Sequence, residues 1–428
     1  MGFAQGVSGL NASASNLDVI GNNIANSGTV GFKSGNTLFS DVYAGSRVGL
    51  GTRVAAVVQN FSAGAVQSST RGLDVAIVNG DGFFRMASPS GEIMYSRNGQ
   101  FDQDADGFIV NAGGLRLTGY QRSANGTVAG GTPGPLQLPT AAMAPKATQS
   151  IVSQYNLDSR STVPTATPFD ANNSATYSYS NPVKVYDSLG NSHEINTFFV
   201  KTGPNAWSVY ATADGYPLNA TGGMIAAPTP AGPPVVANSA PLATGTLGFD
   251  GNGNLVAGAP TTLVGGKISF AGLNFANGAN AMSFTMDLTS STQFGNVNDP
   301  KKLTQDGFTS GQLTAFAINE DGTITGKYSN EQTQTLGQVV LSSFVNPNGL
   351  QPKGDNVWAE TAESGQPLTG SPGSGTKLGA LASGAVEASN VDLTGELVNL
   401  IIAQRTYQAN AQTVKTQDQV MQTLVNMR

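Results

Sequence analysis

The chain of 428 residues has no cysteine and a single histidine, His193. The missing thiols exclude disulfides, thiol catalysis and Cys-based zinc sites, and suit a protein that must cross or leave an oxidising compartment unassisted. Charge is also scarce, at 11% of residues, where about a quarter is usual. Net charge is −6 and there is no basic stripe, so no nucleic-acid partner is expected. No apolar run reaches the roughly 18 residues of a membrane-spanning helix, so no membrane insertion is expected. The first 30 residues carry no Lys or Arg and no compact apolar segment, unlike a secretory signal. If the Gly/Ser/Thr/Asn-rich body is extracellular, its export route should leave the N-terminus in place. Hydrophobic residues make up 39% and glycines number 54. That is too little charge for an ordinary disordered chain, and the length suits roughly two to four domains.

The densest pattern lies at the end of the chain. Between Val391 and Asn426 there is no Pro and one Gly, Gly395. Leu393, Leu397, Leu400, Gln404, Tyr407, Ala411, Val414, Asp418, Met421 and Val425 recur at alternating steps of four and three, the seam of a coiled-coil-like helix with two polar breaks. At about 1.5 Å per residue the helix would be about 54 Å long. Phe3, Val7, Leu10, Ala14, Leu17, Gly21 and Ile24 repeat the rhythm at the other end. Each seam is expected to pack in part on the other and in part on further copies of the chain. A second lane, Arg405, Gln408, Gln412, Lys415, Gln419, Gln422 and Asn426, is wholly polar but carries two charges. An ordinary solvated face would show more Lys and Glu; a wet channel wall that must not grip passing chains would look like this one. Sequence alone leaves both readings open. Gln404 and Asp418 are candidates for fixing helix register, or are polar residues tolerated at partly exposed positions.

Between the helices the chain reads as mainly β. Asn79-Gly80, Asp81-Gly82, Asn98-Gly99, Asp106-Gly107 and Asn125-Gly126 punctuate short strands expected at 83–86, 93–97, 108–110 and 115–121, a hairpin-rich antiparallel sheet. Further strands are expected at 183–187, 194–201, 206–213, 246–249, 263–270 and 282–288, with a long Pro/Ala/Gly loop over 217–245. Strands resume at 313–318, 323–328 and 336–344. The expected organisation is nested. Residues 1–28 and 389–428 make a terminal helical domain, and 29–72 and 362–388 an extended, loosely paired connector, a candidate for ordering only on assembly. Residues 73–147 and 291–361 make a first β domain of antiparallel, barrel-like sheets, with a second β domain, 148–290, inserted in it.

Candidate chemistry is thin. Asp102, Asp104, Asp106 and Gly107 match the first half of an EF-hand loop, but the twelfth position is Gly113 rather than the Glu the geometry needs; an Asp-rich hairpin turn is the plainer reading. One His without Cys makes no usual zinc site. A Ser-His-Asp triad of Ser192, His193 and Asp187 is formally available, but no nucleophile elbow stands near it, and a histidine on a strand beside its turn is the simpler assignment. Spacing alone leaves paired carboxylates for glycoside hydrolysis open, yet the acidic residues are few and sit at turns, where they favour their own backbone. Gly49-Leu-Gly51 and Gly80-Asp-Gly82 lack the third glycine and following helix of a phosphate loop. No catalytic residue, metal or cofactor is therefore assigned.

Three long stretches resemble a known family. Leu10-Asn-Ala-Ser-Ala-Ser-Asn-Leu-Asp-Val-Ile-Gly-Asn-Asn-Ile-Ala-Asn-Ser-Gly-Thr-Val-Gly-Phe-Lys33 resembles the N-terminal signature of the bacterial flagellar rod and hook proteins. Arg71-Gly-Leu-Asp-Val-Ala-Ile-Val-Asn-Gly-Asp-Gly-Phe-Phe84 resembles the opening of their shared β domain. Ser389-Asn-Val-Asp-Leu-Thr-Gly-Glu-Leu-Val-Asn-Leu-Ile-Ile-Ala-Gln-Arg-Thr-Tyr-Gln-Ala-Asn410 resembles their C-terminal helix. The large insertion is similar to that of the family's hook members; distal rod members are shorter. The resemblance implies a homopolymer, exported unfolded through the flagellar type III apparatus without cleavage of a signal and stacked into a short, curved, hollow tube outside the cell. The terminal helices would form the inner wall and the β domains the outer layers. The tube would act as a universal joint between rod and filament, next to a distal rod protein, a hook cap protein and a hook–filament junction protein. Gly-rich connectors would let subunits slide, and low charge would avoid fixed ion pairs between them. The competing readings are a rod protein with an insertion and, from a different class, a secreted β-rich adhesin or carbohydrate-active enzyme, which would leave the terminal helices unexplained.

Overall fold

The computed structural model describes residues 2–43, 49–123, 128, 130–219, 223–224, 244–256, 263–373 and 377–426. Asn125-Gly126 and most of the loop expected over 217–245 lie outside them. The chain is mainly β, with one long helix at each end: α1, Gly2–Ala25, and α2, Leu393–Asn426. Asp392 caps α2 by accepting the Thr394 backbone N–H at 3.1 Å, and Glu396 sits in the first turn, where the helix dipole favours an acid. With no Pro, and its one Gly, Gly395, in the first turn, α2 runs on for 34 residues. No helix among the described residues is long and apolar enough to cross a membrane.

Chain contacts divide the molecule into two units. The first comprises 1–140, 314–327 and 333–428. Its main sheet runs through strands Leu313–Ile318, Thr323–Tyr328, Thr333–Val339, Arg116–Gln121, Phe83–Ala87, Ile93–Ser96, Val357–Ala359 and Gln351–Gly354, in that order. Alternating apolar residues put Phe84, Met86, Leu117, Ile324, Val339 and Leu341 into one core. A second, aromatic core holds Phe83, Tyr95, Phe344 and Trp358, with Phe61 packed against it. Phe61 meets Phe83 edge-on at 5.5 Å between centroids, and the Trp358 indole N–H donates to Gln59 at 2.8 Å.

The stretch expected to be a loose connector is regular here. Strands β1, Gly35–Asp41, and β2, Thr52–Gln59, form an antiparallel ribbon. After it, Val66–Ser68 pairs with Ala385–Glu387 and Val75–Val78 with Ala380–Ser383, so the incoming and outgoing chain zip together. The physical reason is that residues 300 apart in sequence supply each other's backbone partners, a pairing that no local periodicity announces.

The second unit comprises 141–313 and 328–332. Two five-stranded sheets enclose a single core. One follows Tyr179–Tyr186, Ser192–Gly203, Ala206–Ala213 and Tyr216–Pro217, with Gly245–Gly248 added. In the other, Ser150–Asp158 lies parallel to Met282–Asp287 and Thr292–Phe294 and antiparallel to Asp299–Gln305. The sequence reading placed 291–361 in the first β domain. The structure pairs Thr292–Phe294 and Asp299–Gln305 with the insertion's own first strand, because Asn156 and Asn298 hydrogen-bond the two segments together at 3.1 and 2.7 Å. Trp207 is fully buried at the centre, and its indole N–H donates to Gln293 at 2.7 Å. Trp207→Ala is expected to destabilise this unit by about 3–5 kcal/mol through cavity formation, read as a shifted urea midpoint.

Candidate polymerisation surface

The helices α1 and α2 pack antiparallel, with Gly6 against Val414 and Gly9 against Asn410. A Cβ on Gly6 would stand 2.7 Å from the Val414 Cγ2 and one on Gly9 2.8 Å from the Asn410 Nδ2, so glycine sets the close approach. Ala12, Ser13, Ile20 and Ala403 are buried along the pair. The ribbon rests on α1 through Asn23, whose side-chain amide donates to Gly35 O and accepts from Gly35 N, each at 2.9 Å. Ser8 Oγ accepts the Thr52 backbone N–H at 3.3 Å. A groove of about 720 Å³ remains between the two helices and the ribbon, lined by Val19, Phe39 and Ile402 beside Asn16, Asn399 and Thr406.

Where the helices leave the β body, one carboxylate ties four parts of the chain together. Glu387 Oε1 receives the Lys33 ammonium at 2.6 Å and the Gly64 N–H at 2.8 Å. Its Oε2 receives Arg97 at 3.5 Å. Lys33 also donates to Ser62 O at 2.7 Å, and the side chains of Lys33 and Glu387 are 0% and 1% exposed. Burial draws the Lys33 and Arg97 pKa values below their ordinary range, more than the nearby Glu387 raises them. Beside this cluster Asn390 accepts from Ser34 N at 2.8 Å and donates to Asn60 O at 2.7 Å. Four segments 29 to 354 residues apart thus share one dry charge cluster.

The predicted seam residues divide. Leu10, Leu17, Ile24, Leu400 and Val414 are half-buried, as is Val7, whereas Phe3, Leu393, Leu397, Tyr407, Met421 and Val425 are exposed. The internal partner packs on Ala403, Asn410 and the seam residue Val414, where the missing side chains of Gly6 and Gly9 let α1 come close. Most of the leucine stripe is therefore left uncovered. Sequence periodicity also missed Val398, Ile401 and Ile402, exposed at 51–57%. At about 100° per residue, Leu397, Ile401 and Val398 point 120–220° away from Ala403. The N-terminal third of α2 is thus apolar on nearly every side. Hydrophobicity all round, rather than one stripe, was the signal that marks a helix buried by its surroundings. All seven residues of the polar lane, Arg405, Gln408, Gln412, Lys415, Gln419, Gln422 and Asn426, are exposed. They continue the same outward face, which changes from apolar to polar between Ile402 and Arg405.

The other sequence candidates hold structural partners. Asp104 accepts the Phe108 N–H at 2.7 Å, closing a hairpin turn. His193 Nδ1 lies 2.6 Å from Asp214 and Nε2 3.3 Å from Asp187, which leaves neither nitrogen for Ser192. Among the described residues no group of three or more acidic, His or Cys side chains could hold a metal ion.

The β body is drawn together where its own two terminal helices pair, and the first third of α2 leaves Leu393, Leu397, Val398, Ile401 and Ile402 exposed. Four family profiles match in order: "Flagella basal body rod protein" at 5–33, "Flagellar hook protein FlgE/F/G D1 domain" at 77–155, "Flagellar basal body protein FlaE D2 domain" at 156–308, and "Flagellar basal body rod FlgEFG protein C-terminal" at 382–427. The chain is 48% identical to the flagellar hook protein FlgE of Salmonella typhimurium over 433 residues, covering 100% of both. It is 47% identical to that of Escherichia coli, again over 100% of both. To that of Borreliella burgdorferi it is 32% identical, over 99% of this chain and 98% of the relative. The crystal structure of the Helicobacter pylori flagellar hook protein FlgE2 shares the fold, with a TM-score of 0.52 at 13% identity over 75% of this chain and 100% of that one. The chain belongs to the flagellar hook protein family and is a structural subunit of the flagellum.

Glu387→Gln would strand the buried Lys33 and Arg97 charges. It is expected to cost about 3–5 kcal/mol of unfolding free energy. Glu92→Gln, on the exposed surface, should change it by less than about 0.5 kcal/mol. Chemical denaturation of both variants measures the difference.

Proposed function

We propose that this hook subunit polymerises with itself into a curved hollow tube, a universal joint that transmits torque from rod to filament while exported subunits pass through it. The observation that carries the reading is α2. Its first third exposes Leu393, Leu397, Val398, Ile401 and Ile402, each 44–57% accessible, a surface that a chain kept in water would not leave open. Neighbouring copies cover it. Beyond Arg405 the outward face is Gln-rich and lightly charged, and lines the channel. In this reading 1–28 and 389–428 form the inner wall, 29–72 and 362–388 join it to the outer layers, and the β domains form those layers.

The ordered connector alters one feature of the mechanism. Sliding between subunits is carried by contacts between copies rather than by loosely coiled connectors, because the ribbon and the Glu387 cluster tie the inner wall to the first β domain. The subunit would leave the cell through the flagellar type III apparatus with its N-terminus intact and meet a distal rod protein, a hook cap protein and a hook–filament junction protein. The reading assigns no catalytic step, no cofactor, no nucleic acid and no membrane insertion. Full-length coverage of the hook relatives, insertion included, favours it over a rod protein.

Electron microscopy of assemblies of the full chain and of a variant lacking 391–428 tests the proposal: tubes are expected from the first alone, and tubes from the truncated chain would refute the role of α2. The double variant Leu397→Ser/Ile401→Ser is expected to fold, with an unchanged melting temperature within about 2–4 °C, yet to stay monomeric in sedimentation.

A further inference from the structure

The chain's only histidine sits where three turns of the second unit meet. His193 lies near the start of strand Ser192–Gly203, 8% exposed. Its Nδ1 is 2.6 Å from Asp214 Oδ2, in the turn after Ala206–Ala213, and its Nε2 is 3.3 Å from Asp187 Oδ2, in the turn before its own strand. Phe275 stacks flat on the ring, 3.6 Å between centroids and 16° between planes. Asn277, from the same loop, donates to Asp187 Oδ2 at 2.7 Å, and Asn280 N donates to Ser188 Oγ at 3.0 Å. The turn reaches the segments by which the chain enters and leaves this unit: a Cβ on Gly190, φ +86°, would lie 2.9 Å from Pro145 and 3.2 Å from Thr309.

A neutral imidazole has one N–H. With a carboxylate oxygen at each nitrogen, a neutral ring would set a lone pair against an anion on one side; the imidazolium donates on both. Among the described residues no cation opposes that charge. Val185 pairs opposite His193, Glu194 is exposed on the other face of the strand, and 274–280 contains no titratable residue. Among the described residues, Asp187 and Asp214 are the titratable groups that face the ring, and the Asn277 amide Nδ2 lies 3.5 Å from Nε2.

We propose that protonated His193 is a latch that clamps the turns at 187–191, 214–215 and 274–280 together, and that its deprotonation loosens this end of the second unit. The supporting electrostatics agree. Burial opposes the charge on His193, but hydrogen bonds to Asp214 and Asp187 outweigh it and raise the pKa above 6.5. Burial likewise pushes Asp187 up, yet hydrogen bonds from Asn191, Asn277 and His193 hold it at about 2. The sign follows: a histidine raised on folding stabilises fully below pH 6.5, and its contribution is lost as pH rises through the folded value. Asp187 stays ionised throughout, so His193 alone switches.

A single histidine makes the test clean. Ring nitrogen-15 NMR of the full-length chain is expected to show both nitrogens protonated at pH 6, with a midpoint above 6.5. Hydrogen exchange over 187–191 and 274–280, referenced to Ser150–Asp158 and to intrinsic chemistry, should rise with pH through that midpoint, about tenfold for each pH unit by which the midpoint is raised. In His193→Gln the rise should vanish, and in Asp214→Asn the midpoint should fall. A wild-type midpoint at or below 6.5, a single-tautomer neutral ring at pH 6, or loop exchange that ignores the titration would each overturn the latch.

Discussion

A buried carboxylate governs this architecture. Glu387 accepts from Lys33, Arg97 and Gly64 in a dry pocket, and these partners come from the segment after α1, the first β domain and the segment after the ribbon. Ion pairs of this kind are costly to desolvate and add little net stability over apolar packing. What the cluster supplies is position. Two cations and one anion withdrawn from water have few arrangements that satisfy them, so the foot of the helix pair is set against the sheet. A rigid foot matters in a subunit proposed to carry torque, since slack there would be taken up before force reached the neighbouring copy.

Above that foot, the helix pair divides its surface among three tasks. Gly6 and Gly9 let α1 approach closely and claim the Ala403–Val414 stripe. That choice turns Leu397 and Ile401 outward, where the chain itself offers no cover. Past Arg405 the same face becomes polar. One helix therefore carries an internal interface, an exposed apolar surface proposed to pack on other copies, and an exposed polar surface in succession, and the change comes within about one helical turn.

Much of this was legible in the residues. The four-three rhythm announced both helices, and the strands expected at 206–213 and 323–328 stand at Ala206–Ala213 and Thr323–Tyr328. The ribbon β1–β2 was not legible, because its apolar residues face α1 on one side and are exposed on the other, blurring the alternation that marks a strand. The Glu387 cluster was not legible either: a single Lys, Arg and Glu, dispersed over 355 positions from Lys33 to Glu387, leave no pattern. His193 was seen as a strand residue, but its two carboxylate partners, 6 and 21 residues away, became a set only when three turns converged.

Periodicity, turn chemistry and the scarcity of charge are local properties, and they determined the class of the protein: helices at both ends and β sheets between them. Which stripe of α2 faces inward, which strands belong to the insertion, and which charges lie in the dark were decided by tertiary structure alone. Each depends on groups hundreds of residues apart meeting within a few ångströms, and the energy of such contacts is set by distance and burial rather than by order along the chain.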